Sequence, residues 1–166
     1  MTTSQPAAGS GTIPYDRAME RLRGEQNLML GIAGGAAAAL AGAAAWAGVT
    51  VGTGYQIGWM AVGVGFLVGV TVRALGKGVD QSFGLSGALL SLLGCAAGNL
   101  FAMCGLLAQQ EGVPFVQVVS QLTPGMAREL MTLSFSPMDL LFYGIAVYEG
   151  YKFSIRPITT EDMAGA

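Results

Sequence analysis

Three long runs of apolar residues dominate the chain, and short polar links separate them. The runs are Leu28–Val51, Ile57–Leu75 and Phe83–Ala108. The first and third runs carry no charged residue, and the second carries only Arg73, near its end. A bilayer core about 30 Å thick is crossed by a helix of about 20 mostly apolar residues. The pattern therefore predicts three transmembrane helices, at 28–51, 57–75 and 83–108.

A shorter apolar run follows Ser136, and its first residues have the pattern of a helix start. Ser136 precedes Pro137, and Asp139 stands in the first turn. A capping serine, a proline and then an acid are typical of a helix N-terminus. From residue 137 to residue 155 such a helix is about 28 Å long, and its three tyrosines suit the membrane interface. We predict a fourth span at 137–155, and so a transmembrane domain over 28–155.

The remaining segments are polar or mixed. Residues 1–27 predict a disordered tail followed by a short charged helix, and residues 156–166 predict a flexible C-terminal tail. The link 109–135 shows the helical apolar period of two short amphipathic helices, one after Pro114 and one after Thr123. These two helices are interpreted as an interfacial connector, with a lid or a partner surface as the alternative.

The distribution of cations predicts the orientation. With four spans and a cytoplasmic N-terminus, seven of the eight Lys and Arg residues lie on the cytoplasmic side, and Arg128 alone lies in the external 109–135 loop. Three spans would place five cations inside and three outside. Because cytoplasmic loops are enriched in Lys and Arg, the pattern favours four spans, with both termini in the cytoplasm.

The first span has an alternative interpretation as a signal peptide. Ala43-Ala44-Ala45 resembles a small-residue cleavage site after an apolar run. The polar lead of about 27 residues and the long apolar run exceed what signal peptides have. We therefore expect an uncleaved span.

The composition excludes several classes of function. Hydrophobic residues make up 52% of the chain and charged residues 11%, against about 25% charged in soluble domains. Because histidine is absent, a Ser-His-Asp triad and a histidine metal site are excluded, and we expect no metal and no cofactor. Eight basic residues against ten acidic ones give no basic field for nucleic acid.

Glycine is the most informative residue type, with 26 in the chain. Five pairs of glycines in or beside the spans stand four positions apart: Gly31 and Gly35, Gly48 and Gly52, Gly54 and Gly58, Gly65 and Gly69, and Gly94 and Gly98. Small residues let helix backbones approach closely in lipid, so we predict helix packing through these faces, within one chain or between copies. We also expect the first span, which is nearly all Ala and Gly, to lie centrally in the bundle. The predicted packing positions are Gly31, Gly35, Gly65, Gly69, Gly87, Ser91, Gly94 and Gly98.

A few polar residues in the spans are candidates for a polar site. Asn99 is the strongly polar group deepest in a span, and an interhelical clasp is favoured for it over a substrate or ion contact. Asp139 is expected to cap its helix, and Glu149 is expected to pair with Lys152 three residues later. A role in transport is the alternative for Asp139 and Glu149. Cys95 and Cys104 are interpreted as small packing residues.

The stretch Tyr55-Gln56-Ile57-Gly58-Trp59-Met60-Ala61-Val62-Gly63-Val64-Gly65 carries a resemblance. Together with Arg73, Gly76-Lys77-Gly78, Gly94-Cys95 and Gly98-Asn99, it is similar to a group of uncharacterised bacterial multi-pass inner-membrane proteins. The similarity covers roughly residues 25–105. It implies a bacterial cytoplasmic-membrane protein, and it carries over no activity and no catalytic residue.

These observations predict an all-α integral membrane bundle of four transmembrane helices that is not an enzyme. The expected role is a structural, accessory or oligomerising subunit packed through Gly-rich helix faces, with the lipid bilayer, further copies or a larger membrane complex as partners. The alternative is a small transporter or channel with a polar path near Asn99. An intramembrane hydrolase is a third hypothesis, and it is disfavoured because Ser91 and the other serines lack a recognisable base.

Overall fold

The chain folds into helices joined by short turns. A computed structural model describes residues 13–164, and this range holds eight α-helices and no strand. The all-α prediction is confirmed over these residues, and residues 1–12 of the predicted disordered tail lie outside them. The helices are α1 (Ile13–Glu25), α2 (Leu28–Thr53), α3 (Trp59–Gly76), α4 (Gln81–Glu111), α5 (Phe115–Ser120), α6 (Pro124–Ser134), α7 (Pro137–Ser154) and α8 (Thr160–Ala164).

Three of these helices, α2, α3 and α4, are long and apolar enough to cross a membrane. Their ends match the predicted spans to within three residues. Helix α7 matches the predicted fourth span closely, but it carries Asp139, Glu149 and Lys152. It qualifies together with α6, from which it is bent by 104°. The described residues thus contain three helices that could cross a membrane, or four if α6 and α7 form one broken span.

The helix ends follow the local chemistry of the sequence. The backbone N–H of Ser136 donates to Asp139 Oδ2 at 2.8 Å, so the acid caps the start of α7 as predicted. At the end of α2, Gly54 has φ of 72°, a left-handed conformation that glycine adopts without strain. Lys77 closes α3 with φ of 50°, which is unusual for a residue with a side chain. The sequence Gly76-Lys77-Gly78 therefore forms a tight turn.

Helices α3 and α4 occupy the middle of the bundle. Both α2 and α7 pack against this central pair, and among the described residues α2 and α7 make no close backbone contact with each other. The prediction that the first span is central is therefore wrong. Its Ala and Gly residues do approach their neighbours closely, but on one face of the helix only, so the helix lies at an edge.

The core is formed where the inner faces of these helices meet. Its largest fully buried side chains include Trp46 of α2 and Phe83 of α4, together with three valines of α3. The ring of Trp46 crosses the core to the ring of Tyr143 on α7, edge to face, with centroids 6.4 Å apart. This aromatic contact joins the two outer helices across the central pair.

One end of the bundle, called the base below, carries α1, the α3–α4 turn and α8. Ala18 and Leu22 of α1 are 0% and 1% exposed, so this charged helix has a buried apolar side. The predicted flexible tail at 156–166 contains α8 instead. Its Asp162 carboxylate accepts hydrogen bonds from the Thr159 backbone N–H at 3.0 Å and from the Thr159 hydroxyl at 2.8 Å, which fixes the start of the helix.

The opposite end carries α5 and α6, in the region where the sequence predicts two short helices. Phe115 of α5 contacts Phe101 of α4 edge to face, with ring centroids 6.3 Å apart. Both short helices pack against α4. Their location on the outer surface of a membrane stays a prediction.

Candidate functional site

The predicted packing positions lie where helices contact one another within the chain. On α3, a side-chain carbon at Gly65 would lie 2.6 Å from Ala146 Cα, and one at Gly69 would lie 3.0 Å from the carbonyl oxygen of Glu149. Glycine at these two positions therefore allows the backbones of α3 and α7 to touch.

The contact between α4 and α7 uses the same device. A side-chain carbon at Gly87 would overlap Ser154 Oγ and the carbonyl oxygen of Gly150. Ser91 is fully buried and donates its hydroxyl to the Gly87 carbonyl oxygen at 2.7 Å. Because this hydroxyl is satisfied inside its own helix, Ser91 is a packing residue and lies apart from the polar groups described below.

The other predicted positions bring α2 against α3 and α4. A side-chain carbon at Gly31 would lie 3.2 Å from Gly76 Cα, and one at Gly94 would lie 3.1 Å from Ala39 Cβ. Gly35 faces Val72 and Leu90 in the same way, and Gly98 faces the ring of Trp46. All eight predicted packing positions are thus used inside one chain.

A different set of small residues on α2 is exposed. A side-chain carbon at Gly48 or Gly52 would have no neighbouring atom within 4 Å. These two glycines belong to an exposed face of α2, called the outer α2 face here. At 100° per residue its members fall within one third of the helix circumference. They are Ala33, Ala37, Ala41, Ala44, Ala45, Gly48 and Gly52.

The outer α2 face differs from the exposed faces of the other long helices. Helix α4 exposes Leu85 and Leu89, which are 69% and 56% exposed, and α7 exposes Leu140, which is 67% exposed. Bulky apolar side chains of this kind suit contact with lipid tails. The alanines and glycines of the outer α2 face extend over about 28 Å, close to the thickness of a bilayer core. Two bulky side chains of α2, Leu30 and Leu40, lie on or beside this face and are 49% and 61% exposed.

Two apolar grooves run along the α4 side of this face. One has a volume of about 400 Å³ and is lined by Ala44, Gly48 and Phe101 among others. The second, of about 390 Å³, is lined by Ala36, Leu40 and further residues of α2 and α4. The grooves extend this surface from α2 toward α4.

Asn99 forms a polar contact between three segments of the chain. It is 0% exposed. Gln56 Nε2 donates to Asn99 Oδ1 at 2.5 Å, and Asn99 Nδ2 donates to Ser134 Oγ at 3.2 Å. Gln56 lies in the α2–α3 link and Ser134 ends α6, so Asn99 has the geometry of an interhelical clasp. Because its partner lies in a link, Asn99 is near one end of the bundle rather than at mid-span.

Two further polar groups are buried on the inner face of α2. Trp46 Nε1 and Thr50 Oγ1 have no hydrogen-bond partner among the described residues. The two side chains are 0% and 1% exposed and stand one helical turn apart. Tyr143, whose ring contacts Trp46, donates its hydroxyl to the Cys95 carbonyl oxygen at 3.1 Å.

The two candidate carboxylates, Asp139 and Glu149, make no hydrogen bond with Asn99. Asp139 is 8% exposed and caps α7. Glu149 does not make the predicted ion pair with Lys152, because the Lys152 ammonium lies over the Tyr148 ring, 5.5 Å from its centroid. One carboxylate oxygen of Glu149 is buried without a partner. Among the described residues, no hydrogen bond joins Asn99, Asp139 and Glu149 into one path.

The described residues contain no group of three or more Cys, Asp or Glu side chains placed to hold a metal ion. Cys95 and Cys104 are both buried and unpaired. They stand nine positions apart on α4 and face different sides of the helix.

The base carries the densest set of polar contacts. Asp80 accepts from Gln26 Nε2 at 2.6 Å and from Arg23 Nε at 3.1 Å. The Gln26 amide, and to a lesser extent the Arg23 guanidinium, hold the pKa of the Asp80 carboxyl below its usual value. Hydrogen bonds from Thr159 similarly lower the pKa of Asp162, with Arg156 contributing through its charge. The Asp80 contacts tie α1 to the α3–α4 turn, and Arg21 Nη2, which donates to the Asp162 carbonyl oxygen at 3.4 Å, ties α8 to α1.

No protein family, no curated protein and no solved structure matches this chain.

The sequence lacks the information that pairs the polar residues. Gln56 and Ser134 are separated from Asn99 by 43 and 35 positions. Both partners lie in or beside links, where many polar residues are simply solvated. The side-chain amide of Asn99 was the one available signal, since a buried amide needs several hydrogen-bond partners.

Proposed function

We propose that the chain is a non-enzymatic, multi-pass membrane protein that associates with a second copy of itself through the outer α2 face. The proposal includes four spans, with α7 as the fourth, and cytoplasmic termini. It places the protein in a bacterial cytoplasmic membrane, in line with the resemblance of residues 25–105. The observation that carries it is the run of exposed alanines and glycines from Ala33 to Gly52 on α2, which the exposed faces of α4 and α7 do not have.

The inner glycines support this assignment by elimination. Because Gly65, Gly87 and Gly94 are already in contact within the chain, they cannot serve association between chains. The outer α2 face has the same residue types and no partner among the described residues. In lipid, where hydrophobic drive between helices is weak, such faces associate by close packing.

A second copy is the occupant that fits this face. A twofold axis along the membrane normal would set α2 parallel to the α2 of the other copy, and each would present small residues to the other. The face contains no charged residue, so the pair brings no like charges together. Both copies keep the same orientation in the membrane, as two copies inserted in the same way must.

The test is the mass of the purified protein in detergent, measured for two variants that each introduce one leucine, either on the outer α2 face or elsewhere. Gly48→Leu adds bulk at the outer α2 face, and Gly63→Leu adds the same bulk at an open position on α3. We expect a dimer for the unchanged protein and for Gly63→Leu, and a monomer for Gly48→Leu. A monomeric unchanged protein, or a dimer that survives Gly48→Leu, would contradict the proposal.

A small transporter or channel near Asn99 is the second candidate. The buried, unpartnered polar atoms of Trp46 and Thr50 favour it, since such groups line polar paths in membrane proteins. Asp139 and Ser91 weigh against it, because each is used in the structure of its own helix. This candidate requires ion flux into liposomes that Asn99→Leu removes. Absence of flux in the unchanged protein, tested with protons and with K⁺, would reject it.

A further inference from the structure

A notch at the base of the bundle brings two cations together beside apolar side chains. It lies between the C-terminal ends of α3 and α7 and has a volume of about 340 Å³. Arg73 comes from the last turn of α3 and Lys152 from the last turn of α7. The rest of its lining is apolar, from Phe153, Ile155 and Pro157.

Neither cation is neutralised by an acid in the described part of the chain. Arg73 and Lys152 make no ion pair there, and the Lys152 ammonium lies over the Tyr148 ring. Arg23 and Arg156, at the same end, differ in this respect: each is within 4.0 Å of a carboxylate oxygen. The notch therefore holds two cations that no carboxylate of the base compensates.

One acid, Glu149, stands about one helical turn before Lys152 along α7. One of its carboxylate oxygens is buried without a partner, and the group makes no ion pair with either cation. With Glu149 ionised, the notch still has two positive charges against one negative charge.

The surface next to the notch is apolar and aromatic. Phe153 contacts Phe66 of α3 edge to face, with ring centroids 5.2 Å apart. Phe66 is 50% exposed and lies about two turns from Arg73, toward the middle of the helix. Two cations at a helix end, with an exposed apolar seam leading away from them, match the shape of a phospholipid: an anionic headgroup and its acyl chains.

We propose that the notch binds the phosphate headgroup of an anionic phospholipid, with the acyl chains along Phe66 and Phe153. Under the orientation proposed above, the notch faces the cytoplasmic leaflet, where anionic lipids supply a negative surface. The inference rests on that membrane placement. It is independent of dimer formation, because the notch lies between α3 and α7 and away from the outer α2 face.

The test is native mass spectrometry of the full chain in detergent, titrated with phosphatidylglycerol or with phosphatidylcholine of the same acyl chains. We expect the unchanged protein to retain phosphatidylglycerol in preference to phosphatidylcholine. At about 1 kcal/mol per cation near a lipid headgroup, Arg73→Gln with Lys152→Gln should weaken that binding about thirtyfold. The charge-matched control, Arg17→Gln with Arg128→Gln, removes two exposed cations elsewhere and should keep the preference within about twofold.

Three results would overturn the proposal. One is equal retention of the two lipids, and another is equal loss of binding in the double variant and in the control. The third is full competition by inorganic phosphate alone, which would make the notch a phosphate site. Arg73→Lys keeps the charge and should keep the preference for phosphatidylglycerol. The melting temperatures of Arg73→Lys and of the double variant, compared with that of the unchanged protein, test whether folding is intact. The same spectra give the oligomer mass, so loss of lipid and loss of the dimer are separate results.

Discussion

The two faces of α2 contain the same small residues in different surroundings. On the inner face, Gly31, Gly35 and Ala39 lie against the backbone and side chains of α3 and α4. On the outer face, Ala41 and Gly48 are exposed. Small residues therefore mark surfaces capable of close contact, and the fold decides which contacts are made within the chain. The outer α2 face is a surface of small residues that the fold leaves exposed.

The largest difference in stability between the two faces of α2 is expected at Trp46, the one large residue on the inner face. Trp46→Ala should destabilise the protein by about 3–5 kcal/mol, because it removes a fully buried ring that packs on Gly98 and Tyr143. Val49→Ala, toward the outside of the same helix, should change stability by about 0.5 kcal/mol. Unfolding in mixed detergent micelles measures both. Equal effects would mean that the two faces are not differently packed.

A second pair of variants applies the comparison to α3. Gly65→Leu should destabilise the protein by about 3 kcal/mol, because the new side chain meets the backbone of Ala146, which cannot move aside. Gly63→Leu, two positions earlier and facing open space, should change stability by less than about 1 kcal/mol. The melting temperatures of the two variants give the result. A tolerated Gly65→Leu would show that α3 and α7 are not in backbone contact.

The sequence predicts the long helices well because their cause is local. Long apolar runs set the extent of α2, α3 and α4, glycines end α2 and α4, and Ser136-Pro137 sets the start of α7. The same runs say little about which side of a helix is buried. Helix α2 has small residues on all sides, so its sequence lacks the periodicity that would indicate an inner face, and its predicted central place was wrong.

The candidate site was predictable only in part, and the reason is again physical. Asn99 stands out because a buried amide needs partners, but its partners come from segments that meet it only in the folded chain. The prediction of an ion pair between Glu149 and Lys152 was wrong for a related reason. Spacing along a helix permits that ion pair, and the neighbouring Tyr148 ring takes the ammonium instead.

The polar clasp offers a test of whether packing or hydrogen bonding holds the bundle. Asn99→Leu removes the bonds to Gln56 and Ser134, and it should destabilise the protein by about 1–2 kcal/mol. Gln56→Leu removes one of those bonds and should have roughly half the effect. Both effects should be smaller than that of Trp46→Ala in the same unfolding measurement. A larger effect of Asn99→Leu would place the main stabilisation in the clasp.

The smallest expected effect concerns the base, where acid should loosen α1 and leave the inner face of α2 packed. The pKa values of Asp80 and Asp162 are lowered in the folded protein. Their contribution is therefore present above the unfolded pKa of about 3.9 and is lost as the pH falls through the lower folded values. Hydrogen exchange should show α1 opening before α2 as the pH is lowered below about 4.

Asp80→Asn should reduce this acid sensitivity and cost less than about 1 kcal/mol at neutral pH, because the ion pair with Arg23 is partly exposed. Asp16→Asn, an acid on α1 without an ion pair among the described residues, is the matched control and should leave the acid response unchanged. Simultaneous opening of α1 and α2 would show that the base and the bundle are not separate units.

Disulfide crosslinking in native membranes tests the central claim most directly. Ala41→Cys places a thiol on the outer α2 face, and Leu89→Cys places one on the exposed face of α4. The native cysteines, Cys95 and Cys104, are both buried and should give little background. The account predicts a crosslinked dimer for Ala41→Cys and none for Leu89→Cys. No dimer for Ala41→Cys, or equal dimer for both variants, would contradict it.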